Sequence, residues 1–121
     1  MIAAMSERPA YVSRPDELRR DLSVSRERMG RLMDVSAKTV ERWEGQHALP
    51  AGTSALVRTR YAQIQAVRDL GLSVYTREGF QEFLKTPLPV FGGRSALQMI
   101  EQGMTADVLA ALASDYEGLG Y

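Results

Sequence analysis

The sequence predicts an all-α protein. Three observations carry that reading. No stretch alternates apolar and polar residues long enough for a strand, apolar side chains recur at helical spacing, and Ser, Thr, Pro and Gly punctuate the periodic segments as caps and breaks. Residues 1–14 carry no period and are expected to fray. A short helix is expected over 16–22, with Pro15 just ahead of it. Ser25 then caps a helix over 26–33, where Met29, Leu32 and Met33 share a face. Asp34 and Val35 turn the chain, and Ser36 caps a helix to about Glu44 with Val40 and Trp43 on its inner side. GQHALPAG, residues 45–52, reads as a loop.

A longer helix is expected over 54–70, with Leu56, Val57, Tyr61, Ile64, Val67 and Leu70 on one stripe. Gly71 sits where a left-handed C-terminal cap is wanted. Thr76 opens a helix through about Lys85, carrying Phe80, Phe83 and Leu84. Pro87 and Pro89 remove donors and keep residues 86–93 out of a helix. Ser95 and Gln98 form a capping box for a helix ending near Gly103, and Thr105 caps a last helix with Val108, Leu109 and Leu112 inward. Gly118 and Gly120 loosen the terminal residues.

At 121 residues, 45% hydrophobic and 25% charged, the chain has the make-up of a small soluble globular protein with a modest core. Without cysteine it can form no disulfide, thiolate metal site or cysteine nucleophile, and a single His rules out a multi-histidine metal site. No cofactor is implied. The opening MIAAMSERPA meets Glu7, Arg8 and Pro9 before any apolar core builds, so no signal peptide is expected, and VLAALA at 108–113 is too short for a membrane span. A cytoplasmic protein is the expectation. The formal charge of zero hides an asymmetry: residues 1–60 hold 11 basic and 8 acidic side chains, and residues 61–121 hold 4 and 7. The basic half is the one that would meet a polyanion, and so small an excess points to binding as a dimer or in a complex carrying several copies.

The window RERMGRLMDVSAKTVERW, residues 26–43, has the parts of a helix-turn-helix. Gly30 is the small residue where two helices cross, and Met29, Met33, Val35, Val40 and Trp43 fall at inward positions. The stretch resembles the Xre-type helix-turn-helix at Ser25, Glu27, Val35, Ser36, Thr39, Val40, Arg42, Trp43 and Glu44, and departs from it at Gly30, where Ala is usual, and Asp34, where Gly is usual. The resemblance implies a recognition helix in a DNA major groove, with Ser36, Ala37, Lys38, Thr39, Glu41 and Arg42 as its DNA-facing residues. Lys38 and Arg42 then suit phosphates or guanine, Ser36 and Thr39 suit phosphates, and Glu41 either accepts from cytosine or repels phosphate. The competing reading of Lys38 and Arg42 is a solvated helix face, and that of Val40 and Trp43 is core packing.

Residues 83–103, FLKTPLPVFGGRSALQMIEQG, resemble the toxin-binding domain of Xre/MbcA/ParS-type antitoxins. The match runs through Phe83, Leu84, Pro87, Phe91, Gly92, Gly93, Leu97, Ile100 and Gly103, then Val108, Leu109, Glu117 and Gly118. Phe83 stands for the usual Trp, Leu88 for Asn and Ala96 for Pro. Together the two resemblances imply a helix-turn-helix domain over 14–71 and a small helical toxin-binding domain over 72–121. They imply an antitoxin that blocks a cognate RES-type, NAD-consuming toxin or a ParT-like ADP-ribosyltransferase, and that binds operator DNA to repress its own operon. The toxin-facing residues so implied are Tyr116, Glu117, Gly118, Leu119, Gly120 and Tyr121. A homodimer is expected because so short a half cannot bury the Met, Leu and Phe side chains of residues 80–112 alone. No enzyme is expected because the acidic clusters, Asp16, Glu17 and Asp21 and then Asp115 and Glu117, come with no second polar constellation. The rival reading is a free-standing Xre-like transcription regulator with no toxin partner.

Gly92 and Gly93 beside Arg94 also admit an anion site, but with no preceding strand and no Walker spacing a turn feeding a capped helix is preferred. His47 lies in the Pro/Gly loop, where a surface histidine or a DNA-backbone contact is expected.

Overall fold

The computed structural model describes residues 13–118. Seven α-helices follow one another: α1 (Pro15–Leu22), α2 (Arg26–Met33), α3 (Ala37–Gln46), α4 (Ala55–Val74), α5 (Arg77–Lys85), α6 (Ala96–Glu101) and α7 (Thr105–Glu117), with a 3-10 turn at Pro89–Phe91 between α5 and α6. The starts follow local chemistry. Ser25, Ser36, Ser54 and Thr76 each accept the backbone N–H three residues on, and Ser95 and Gln98 close a reciprocal capping box. Left-handed residues end the first three helices: Ser23, Asp34 (φ 60°) and His47 (φ 59°). Among the described residues the β structure amounts to an isolated bridge, Leu88 to Arg94, across the turn held by Gly92 (φ 66°) and Gly93 (φ 87°).

Several expectations need correcting. Gly71 is no C-cap: α4 runs through it to Val74, and a Cβ there would lie 2.2 Å from Phe80 Cε1. The glycine lets α4 and α5 approach across the Phe80 ring. Leu56 leaves the apolar stripe and is 77% exposed. One residue turns a helix by about 100°, and Val57 takes the inward place in the first turn of α4. Thr105 is the first residue of α7 and is buried, while Met104 holds the N-cap position without a side-chain bond. Residues 86–93 stay out of α-helix as expected, but Pro89–Phe91 form one 3-10 turn whose first position needs no donor. Ser13, expected to fray, is buried: its carbonyl accepts from Tyr61 Oη at 2.5 Å and its N–H donates to Gln65 Oε1 at 2.5 Å.

A single buried cluster runs from Leu18 to Leu112. Helices from before and after residue 71 share it: the most extensive packing joins α4 to α7, and α2 also meets α6 and α1 meets α5. Polar ties cross the same boundary. Arg60 on α4 donates to the Leu32 carbonyl at the end of α2 (2.8 Å) and to the Ile100 carbonyl at the end of α6 (3.2 Å). Glu101 on α6 pairs with Arg28 (2.8 Å) and Arg31 (3.4 Å) on α2. Asp21 on α1 accepts from Arg68 (2.7 Å) and from Arg77 of α5. Burial pushes the Asp21 carboxyl up, but hydrogen bonds from Arg77 and Arg68 outweigh it and hold the group below the usual carboxylate range.

Candidate nucleic-acid and partner-binding sites

Helices α2 and α3 cross at Gly30, where an added Cβ would stand 2.6 Å from the Val35 carbonyl oxygen. Met29, Met33, Val40 and Trp43 are buried as the spacing demands, and Val35 is half-buried. Trp43 meets Tyr61 of α4 edge-on, with ring centroids 6.5 Å apart. Glu44, a match to the motif with no role legible in the sequence, is 7% exposed. It accepts from Arg19 of α1 (3.1 Å) and Arg26 of α2 (2.9 Å), tying three helices together. Burial raises its pKa, but the hydrogen bonds from Arg19 and Arg26 more than reverse this and hold it low.

The other side of α3 faces solvent. Ser36, Lys38, Glu41 and Arg42 are exposed, and Ala37 and Thr39 are half-buried. Ser36 Oγ is engaged in the cap: it accepts the Thr39 N–H and donates to Thr39 Oγ1, each at 3.0 Å. Lys38 and Arg42 make no hydrogen bond or ion pair with the described residues, whereas Arg19, Arg26, Arg28, Arg31 and Arg60 are all tied internally. Five of the eleven basic side chains in residues 1–60 are therefore tied within the fold. Thr39 and Arg42 also line a shallow groove with Pro50, Thr53 and Ser54 at the start of α4. His47 is exposed at the end of α3, 3.7 Å from Asp16 Oδ1.

At the other end of the chain, Tyr116, Glu117 and Gly118 are exposed at the close of α7. Leu119, Gly120 and Tyr121 lie outside the described residues. One turn earlier Asp115 accepts from Tyr75 Oη at 3.1 Å, and Tyr75 stacks on Phe83 with centroids 5.4 Å apart. Burial, then the hydrogen bond to Asp115, pushes the Tyr75 phenol above its ordinary pKa. The Gly92–Gly93 turn feeds the capped α6, and Arg94 donates inward to the Phe91 carbonyl and to Gln102. Among the described residues no group of three or more His, Asp or Glu side chains is placed to hold a metal, and no helix is long and apolar enough to cross a membrane.

Among the described residues the architecture is all-helical, with α2 and α3 crossing at Gly30 and α2 packing on α6 of the C-terminal half. No family model and no curated protein matches the chain. Among solved structures it is similar to a chain of the M. tuberculosis MbcT-MbcA toxin-antitoxin complex, with a TM-score of 0.70 at 21% identity over 88% of this chain and 94% of that one. The chain thus shares its fold with a chain of that complex.

Proposed function

We propose that this protein is an antitoxin that neutralises a cognate toxin through its C-terminal half and binds operator DNA through α3. The observation that carries this reading is the shared fold over nearly the whole of both chains with a member of a toxin–antitoxin complex. Its two helical units are used differently: α3 offers Lys38 and Arg42 unpaired to a polyanion, and α7 ends in an exposed Tyr116–Glu117–Gly118. The toxin is of the RES type or a ParT-like ADP-ribosyltransferase, as the sequence resemblance implies, and the tail through Leu119, Gly120 and Tyr121 obstructs its active-site entrance. The antitoxin acts as a homodimer in the cytoplasm, represses its own operon and has no catalytic role.

The test is co-expression with the product of the neighbouring reading frame. That product should arrest growth alone, and this chain should restore it. A chain cut before Glu117 should keep its helicity and lose the rescue. Rescue by the truncated chain would refute the tail mechanism. A neighbour that is harmless and does not co-purify would favour the free-standing regulator.

A further inference from the structure

We propose that the grooves flanking the Pro89–Phe91 turn, along α7, seat a partner protein that presents an apolar side chain with cations beside it, facing the Asp115 end of the helix. This rests on the antitoxin reading above and names the surface chemistry of the partner.

Val90 tips the turn and is 69% exposed, in a segment fixed by Pro89 and by the left-handed Gly92 and Gly93. A large apolar side chain so displayed on a rigid turn is the kind of anchor that binding surfaces use. It stands between two apolar hollows, one lined by Tyr75, Phe83 and Ala111, the other by Met99, Met104 and Ala110. Val90, Ala111 and Ser114 border both, so the two form one continuous face.

The rim of that face is acidic on the Asp115 side, where no Lys or Arg lines the hollow. On the other side Asp107 is accompanied by Arg94, which donates to the neutral Phe91 carbonyl and Gln102 and keeps its charge. Over residues 105–117 the chain carries Asp107, Asp115 and Glu117 and no Lys or Arg. Asp115 and Glu117 stand at the negative end of the α7 dipole with no basic residue in the last turn. Tyr75 donates a hydrogen bond to Asp115 but brings no positive charge. A helix end loaded with the wrong sign is a local violation of the kind found where a binding partner completes the structure. Cations on that partner would relieve it, and an apolar side chain next to them would fill the hollows beside Val90.

The experiment measures binding of the purified full-length chain to the neighbouring-frame protein identified above. Val90→Glu should weaken binding at least about tenfold while leaving the circular dichroism unchanged. Asp115→Asn with Glu117→Gln keeps the acceptor for Tyr75, and should weaken binding and flatten its dependence on salt. If the wild-type chain binds and both variants bind equally well, the docking face is elsewhere, and the antitoxin reading survives. If the wild-type chain does not bind, the antitoxin reading falls and this proposal with it. Should Val90→Glu turn a wild-type dimer into a monomer in sedimentation, the occupant is a second copy of the chain, and the cationic partner is overturned.

Discussion

Adding one methyl group at Gly30 would drive a carbon into the Val35 carbonyl oxygen, which belongs to the backbone and has little room to yield. Gly30→Ala is expected to cost about 1–3 kcal/mol, read by urea denaturation. Trp43→Ala should cost about 3–5 kcal/mol, since the indole is buried against Tyr61. A loss below about 1 kcal/mol would mean that the ring contributes little to the core. Glu44 adds a pH dependence. Its folded pKa lies below the ordinary carboxylate range, so its pairing with Arg19 and Arg26 stabilises the protein fully above that range and is lost as pH falls through the folded pKa. Glu44→Gln should therefore lower stability at neutral pH and flatten the acid limb of the stability profile. Gly30 was legible because the spacing of its apolar neighbours marks the crossing. Gly71 was not: a glycine after an apolar stripe reads as a cap, and its actual reason is Phe80, nine residues on and visible only when α5 folds back.

At the scale of helices, the caps were the most legible feature, because Ser25, Ser36, Ser54, Thr76 and Ser95 act on the backbone three residues away and need no tertiary partner. Ser36→Ala should cost about 1 kcal/mol by loosening the start of α3. Thr105 misled because its side chain is drawn into the core and does not sit over the helix end. On α3 the sequence placed Val40 and Trp43 inward and Ser36, Lys38, Glu41 and Arg42 outward as found, while Ala37 and Thr39 are half-buried, and only the structure distinguishes cations with partners from those without. Lys38→Ala with Arg42→Ala should weaken operator binding and lower the slope of log affinity against log salt by about 2, with the melting temperature nearly unchanged. Normal binding by that variant in a gel-shift titration would move the DNA contact to another element. Of the C-terminal candidates, Tyr116, Glu117 and Gly118 are exposed as expected, while the groove beside Val90 had no signal in the periodicity because it is made by the meeting of a turn and a distant helix.

Across the molecule, the periodicity revealed the helices but not which of them meet. The pairing of α4 with α7 joins segments tens of residues apart, and the ties of Arg60 and Glu101 run between halves that read as separate in the sequence. The chain should unfold in one step. Trp43, the only tryptophan, sits in the first half, so its fluorescence and the far-ultraviolet dichroism of the helices should trace the same denaturation midpoint. Two separated midpoints would show that the halves melt independently. The Arg60 guanidinium also bears on how such chains diverge. Because one side chain completes the ends of a helix in each half, a recombinant that joined the front of one relative to the back of another would strand a carbonyl unless the arginine and both helix ends were inherited as a set.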